Sequence, residues 1–297
     1  MYSWRRILLA LSDGDTLRSV SSERAPLEER WPRPAVMGVV NVTPDSFSDG
    51  GRFAEPADAI AHGRRLAADG AAVVDVGGES TRPGAKPVGV DEELRRVVPV
   101  LEGLAGVPVS IDTSKAVVAR RALDLGAVMV NDVTALRGDP EMAAVVAAAG
   151  AYLCLMHMRG EPRSMQAAPR YDDVVSEVAA FLEERLAFAV GEGIREESIC
   201  VDPGIGFGKT PDHNLELIRR LDALAALGRP IVIGFSRKST LGRILDSEVS
   251  QGTMPASLGA AIVAFERGAW MLRVHDVRET VEALAVAAAV ERGKVTA

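Results

Sequence analysis

The chain has 297 residues, 47% of them hydrophobic but only 4% aromatic, and a net charge of −7. An acidic protein of this kind is not built as a nucleic-acid surface, so any anion it binds must be met by a local cluster of Arg, Lys and backbone N–H groups. Two cysteines, Cys154 and Cys200, are too few for a disulfide scaffold and lack the paired spacing of a zinc site; lying inside apolar runs, they read as buried free thiols.

The first ten residues hold two arginines and too few consecutive apolar side chains for a secretory leader. No run in the chain approaches the ~20 apolar residues of a membrane span, and the expected location is the cytoplasm, with no membrane partner. Residues 12–30 are polar and charged without a strand period. Residues 1–33 therefore read as an N-terminal extension, peripheral or poorly ordered, with a partner or dimer element as the less favoured reading.

From Ala35 onward, short apolar runs alternate with amphipathic segments of helical period. The runs are 35–41, 71–76, 107–112, 127–131, 151–156, 198–202, 230–235 and 269–274. The helical segments are 56–69, 91–104, 115–125, 140–149, 171–192, 211–227, 255–267 and 277–291. Gly70, Gly106, Gly126, Gly150, Gly228 and Gly268 stand where helices stop before the next strand. Abundant aliphatic residues with few aromatics suit strands buried on both faces. Eight strand–helix units in one domain, residues 34–297, predict an α/β fold, the (β/α)8 TIM barrel. A doubly wound open sheet is the competing fold, but it rarely needs eight units, and the sequence contains neither a Walker A nor a Rossmann glycine fingerprint.

In a parallel barrel the strand ends point to one common face. Here they are Asn41, Asp75, Asp112, Asn131, Met156 with His157, Asp202, Phe235 with Ser236, and Arg273 to His275. Carboxylates and amides buried at the ends of Val/Ile runs need hydrogen-bond partners. A flat heterocycle with alternating N–H, NH2 and C=O groups would provide them. Two of the polar, Gly-rich loops follow the first two runs, at 41–51 and 77–84. In a third, at 202–209, three glycines admit close backbone approach and Phe207 offers a ring for stacking; the plain alternative is a Gly-rich turn. In a fourth, at 234–239, Lys238 follows the seventh run, where barrels bind polar or anionic groups. A merely solvated Arg237–Lys238 pair at a helix start is disfavoured by the helix dipole. Arg273 and His275 share one strand face and form a candidate phosphate clamp. His157 reads equally as a site cover or a core residue, and His62 and His213 as surface residues on helices.

The motifs that carry most information are Asn41-Val-Thr-Pro-Asp-Ser-Phe-Ser-Asp-Gly-Gly51, Asp75-Val-Gly-Gly-Glu-Ser-Thr-Arg-Pro-Gly84 and Asp202-Pro-Gly-Ile-Gly-Phe-Gly-Lys209. With Asp112-Thr113, Asn131-Asp132, Met156-His-Met-Arg-Gly160, Ser236-Arg-Lys-Ser239 and Arg273-Val-His275, they resemble the dihydropteroate synthase family in order and spacing. The resemblance runs from about Ala35 to the last helix. It implies condensation of 6-hydroxymethyl-7,8-dihydropterin pyrophosphate with p-aminobenzoate in folate biosynthesis, giving dihydropteroate and pyrophosphate. It also implies a homodimer and a sulfonamide target.

Carried over residue by residue, the resemblance implies that Asp112, Asn131, Asp202 and Lys238 hold the pterin edge, bordered by Gly206 and Gly234, with Met156 and Phe207 near its ring faces. Asn41, Thr81, Arg82, Arg273 and His275 would hold pyrophosphate, Asn41 also placing Mg2+. Ser46, Phe47, Arg82 and Pro83 would complete the p-aminobenzoate site, bordered by Lys238 and Ser239. The implied catalytic set is Asn41, Asp112, Lys238, Arg273 and His275. The implied route is dissociative: pyrophosphate leaves first and the arylamine captures a pterin methylene cation. Such a route needs no nucleophilic side chain, in keeping with the lack of a recognisable triad. The family pattern is departed from at Gln251, where many members carry a basic residue.

Two other readings share the pterin-holding Asp/Asn set. A pterin-dependent methyltransferase barrel should lack the loops at 43–47 and 80–83, which are present here. A catalytically silent pterin-binding homologue should keep the pterin set and lose those loops, and both sets are intact.

Overall fold

The structure, a computed structural model, describes residues 24–43, 56–81, 84–160, 164–246 and 251–294. Its strands are β1 (Ala35–Asn41), β2 (Val73–Gly77), β3 (Val109–Asp112), β4 (Met129–Asp132), β5 (Tyr152–Met156), β6 (Ile199–Asp202), β7 (Val232–Ile233) and β8 (Met271–Val274). Its helices are α1 (Leu27–Arg30), α2 (Pro56–Ala68), α3 (Val90–Gly103), α4 (Ala116–Asp124), α5 (Met142–Ala149), α6 (Val174–Gly191), α7 (Pro211–Arg219), α8 (Ser239–Ile244), α9 (Met254–Glu266) and α10 (Val277–Arg292). The strands pair in parallel in the order β6-β5-β4-β3-β2-β1-β8-β7. A parallel bridge between Val201 and Ile231 joins the two edges, and the Val201 N–H donates to the Pro230 carbonyl at 3.0 Å. The sheet thus closes into the expected barrel.

Strand alternation sorts the side chains into two layers. Val36, Val40, Val74, Val76, Ile111, Val130, Leu153 and Leu155 face outward into the packing against the helices. Met37, Val73, Met129, Tyr152, Cys154, Cys200, Val232 and Met271 fill the lower interior. Cys154 and Cys200 are register partners on β5 and β6, buried and free, as expected.

Part of the N-terminal extension is neither loose nor peripheral. Leu27 and Trp31 are buried in the same cluster as the lower interior. The Trp31 ring lies 5.1 Å from that of Tyr152 and 6.5 Å from that of Trp270. Tyr152 Oη donates to the Ala25 carbonyl at 2.7 Å, and Trp270 Nε1 to the Trp31 carbonyl at 2.8 Å. Residues 24–33 therefore form the floor of the barrel, where inward side chains would otherwise meet water. The folded domain includes them rather than beginning at residue 34; residues 1–23 lie outside the described residues.

Two helical expectations change. Segment 211–227 divides into α7 and a 3-10 turn over Leu221–Leu227, whose buried Leu221 and Leu224 repeat at the three-residue spacing of that turn. The short helix α8, directly after Lys238, was not anticipated, because six residues containing Gly242 carry too little periodicity to register. His62 is buried on α2, with its Nδ1 2.7 Å from Arg65 Nη2, and is not a surface residue. His213 shares a capping box with Thr210 at the start of α7.

Candidate active site

Two residues above each hydrophobic interior position, several strands change character. Val73 is followed inward by Asp75, Met129 by Asn131, Cys200 by Asp202 and Met271 by Arg273. The upper interior is therefore polar, and its groups find one another. Arg273 Nε donates to Asp75 Oδ2 at 2.7 Å and its Nη2 to Asp112 Oδ2 at 2.8 Å. Asn131 Nδ2 also donates to Asp75 Oδ2, at 3.0 Å. Asp75 is fully buried, and its Oδ1 has no hydrogen-bond partner among the described residues. Asp75 stood among the strand ends but received no site role from the sequence; here it ties β2, β4 and β8 together.

Burial raises the Asp112 carboxyl above its usual range, opposed by the Arg273 guanidinium beside it. Burial also raises Asp202, opposed by the Gly204 N–H, which donates to Asp202 Oδ1 at 2.7 Å, and by the charge of Lys238. For Arg273, burial works against the charge, but Asp75 and Asp112 outweigh it and hold the guanidinium protonated.

The loop after β6 depends on backbone that only glycine supplies. Gly204 has φ +69°, and a Cβ there would stand 1.9 Å from the His157 carbonyl oxygen. Lys209 closes the loop from beneath at 2% exposure. Its Nζ donates to the carbonyls of Gly204 at 2.9 Å and Phe207 at 3.1 Å, and lies 2.8 Å from His157 Nδ1. Burial pushes the Lys209 amine well below its ordinary value. His157, held down to about 2 by burial and by Lys209, packs edge-on to Phe181 with ring centres 4.8 Å apart. It is a core residue supporting the loop, not a cover for the site. The sequence signal for Lys209 was a lone cation closing a Gly-rich run.

After β7 the chain turns sharply. Arg237 takes φ +57°, a left-handed conformation costly for a side chain. Its N–H donates to Ser257 Oγ at 2.9 Å and its guanidinium to Asp276 at 2.6 Å. This turn sends Lys238 across the cavity, where its Nζ donates to the Ile205 carbonyl and lies 4.3 Å from the Phe207 ring centre. Burial lowers Lys238 to about 8, with the Asp202 charge opposing. Phe207 and Met156 pack with Val133, Met158 and Met165 in one small apolar cluster.

These elements enclose a cavity of about 660 Å³ at the C-terminal mouth of the barrel. Of the residues named from sequence, Asn41, Thr81, Asp112, Gly206, Phe207, Lys238, Ser239, Arg273 and His275 line it. Asn131, Met156, Asp202 and Gly234 do not. Asn131 connects to the lining through Asp75 and Arg273, and a Cβ on Gly234 would lie 3.8 Å from Arg273 Cβ and 3.9 Å from Asp202 Oδ2. His275 Nδ1 lies 3.1 Å from Ser236 Oγ. Ser46, Phe47, Arg82 and Pro83 lie outside the described residues. A larger cavity of about 980 Å³ opens at the opposite mouth, where Pro34, Val281, Leu284 and Val290 make its wall apolar, and among the described residues no carboxylate or histidine lines it.

Eight parallel strands whose polar ends gather at one mouth define a TIM-barrel protein with its site on the C-terminal face. Residues 37–275 match the family of pterin binding enzymes. Over 256 residues the chain is 46% identical to the dihydropteroate synthase of Escherichia coli (strain K12), covering 85% of this chain and 90% of that one. It resembles a Yersinia pestis dihydropteroate synthase solved as a sulfonamide drug complex, with TM-score 0.84 and 43% identity over 88% of this chain and 95% of that chain. It also resembles a Xanthomonas albilineans dihydropteroate synthase solved with 7,8-dihydropteroate, with TM-score 0.78 and 45% identity over 88% and 94% of the two chains. The chain belongs to the pterin binding enzyme family and, within it, to the dihydropteroate synthases.

Proposed function

We propose that the chain condenses 6-hydroxymethyl-7,8-dihydropterin pyrophosphate with p-aminobenzoate, giving 7,8-dihydropteroate and pyrophosphate. The observation that carries this reading is the convergence of Asp112, Lys238 and Arg273 on one cavity of about 660 Å³, above Asn131 and Asp202. Its size suits a bicyclic heterocycle with a second small ring. The pterin edge alternates donors and acceptors; Asp202 accepts, Lys238 donates and Asn131 does both.

The residues suit a dissociative route. Breaking the C–O bond to pyrophosphate builds negative charge at the mouth, where Arg273 and His275 stand. Two of the five Arg273 N–H groups are engaged by Asp75 and Asp112 among the described residues, leaving three for phosphate oxygens. The positive charge left on the pterin methylene would be met by Asp112, the carboxylate that lines the cavity. The neutral arylamine then supplies the electron pair for the new C–N bond, so no side-chain nucleophile is required.

Mg2+ is the proposed cofactor. Among the described residues no cluster of three His, Cys, Asp or Glu forms a metal cage, and the mouth supplies the amide oxygen of Asn41. A hard cation that keeps most of its waters and binds substrate phosphates fits so sparse a site. When bound it would offset pyrophosphate charge, while Asn41, Arg273 and His275 would orient the leaving group.

The same reading makes sulfonamides competitors of p-aminobenzoate and places the protein in the cytoplasm. Among the described residues no helix is long and apolar enough to cross a membrane. It also pairs the chain with a second copy through outer helices, where Val263 of α9 and Val286 and Val290 of α10 are exposed. Purified protein given both substrates and Mg2+ should form dihydropteroate, lose activity with EDTA and show sulfonamide inhibition competitive with p-aminobenzoate. Pterin binding without product under those conditions would overturn the enzymatic reading. A monomeric mass by light scattering would overturn the dimer.

A further inference from the structure

A cluster of three charges, buried at its Glu93 end, lies beside the cavity and is not used by the chemistry above. Lys115 stands at the N-cap of α4, three residues beyond Asp112. Its Nζ donates to Glu93 Oε2 at 2.5 Å and to Glu79 Oε2. Glu93 on α3 is completely buried, and its Oε1 has no partner among the described residues. Glu79 Oε1 in turn accepts the Val88 N–H at 3.0 Å, clamping the two ends of the loop after β2. The loop is seated tightly: a Cβ on Gly78 would stand 2.7 Å from Val97 Cγ1 and 2.9 Å from Glu93 Cγ, and Arg96 Nη1 donates to the Gly78 carbonyl at 2.9 Å. Glu79, Ser80 and Thr81 line the cavity, whereas Lys115 and Glu93 do not.

We propose that Lys115 is a positioning residue for the pyrophosphate-bearing substrate: acting through Glu79, it fixes the loop at 78–81, and with it Thr81, relative to the strand end that carries Asp112. The proposal rests on the condensation reading above. The physical need is one of registration. Thr81 must meet the pyrophosphate while groups on β3, β4 and β6 hold the pterin, and a displacement of about 1 Å at such a contact costs on the order of a hundredfold in rate. The loop leaves β2, so its height above β3 is not set by strand pairing beyond Gly77, which registers with Asp112. An ammonium shared between a loop carboxylate and a helix carboxylate supplies that link. A buried pair of this kind adds little stability over apolar packing, which makes a positional role the better account of it.

The test uses the full-length chain. Lys115→Met alone strands the Glu93 charge, so the decisive variant is the double one, Glu93→Met with Lys115→Met, which removes both inner charges and replaces them with apolar volume. We expect it to fold with a melting temperature near that of the wild type. The KM for the pterin pyrophosphate should rise on the order of tenfold, while the affinity for a bare pterin, read by calorimetry, stays within about twofold. Hydrogen exchange should quicken in the peptide covering residues 77–90 and stay unchanged in the one covering 199–209. An equal loss of affinity for the bare pterin, an unchanged KM for the pterin pyrophosphate, or unchanged exchange at 77–90 would each overturn the proposal. Absence of dihydropteroate with the wild-type chain would sink the assigned reaction instead, and the exchange comparison would still decide whether Lys115 holds the loop.

Discussion

Arg273 and Asp75 are 198 residues apart in the chain, yet Arg273 Nε donates to Asp75 Oδ2 at 2.7 Å inside the barrel. Strand β1 lies between them, with Met37 in register with Arg273 and Val39 with Asp75. Both side chains point inward, and barrel curvature closes the gap over β1. The arginine that the sequence suggests as half of a phosphate clamp is thus anchored at its inner edge.

That anchor has a stability cost when cut. Asp75→Ala removes the buried acceptor shared by Arg273 and Asn131, and should destabilise the fold by about 3 kcal/mol, the low end for breaking a buried pair because Asp112 still holds Arg273. Urea unfolding measures it. A loss below about 1 kcal/mol would show that the three strands do not depend on this carboxylate.

For ligand binding, Arg273→Ala should weaken the pyrophosphate-bearing substrate by about 2–4 kcal/mol, as for loss of a charge-assisted clamp. A bare pterin should also lose affinity, though less, because Asp75 and Asp112 are left without their counter-charge. Calorimetry with both ligands separates the two losses. Equal losses would remove Arg273 from the pyrophosphate site.

Lys238 gives a pH signature. Its amine is lowered to about 8 from an ordinary 10.5, chiefly by burial. Below pH 8 the folded and unfolded chains both hold the proton, and the burial penalty applies in full. Between pH 8 and 10.5 the unfolded chain binds a proton that the folded chain has released, so stability rises with pH. Relative to Lys238→Met, the wild type should therefore gain stability across that window and level off above it. Parallel melting curves for the two proteins from pH 7 to 11 report the difference; a flat or falling difference contradicts the assigned direction.

Trp31 is only 7% exposed, at the mouth opposite the site. Trp31→Ala should cost about 3–5 kcal/mol of stability while leaving turnover per folded molecule unchanged. A specific loss of turnover in the folded fraction would mean that floor and active site are coupled.

Much was legible without coordinates, because the relevant signals are local. Apolar runs of strand length and helical periodicity between them repeat eight times, with glycines at six of the joints, and those features depend only on neighbours in the chain. Strand alternation then places Asn41, Asp112, Asn131, Asp202 and Arg273 on the inner face, whatever the barrel's final curvature. What no local pattern carries is which of these groups meet. The Asp75–Arg273–Asp112 bridge, the burial of Lys209 against His157, the Lys115 link from Glu93 to Glu79 and the seating of Trp31 under Tyr152 each join distant segments. They form because a closed parallel barrel forces unrelated strand ends into a small volume from which water is largely excluded, where each charge must find whatever partner the closure delivers.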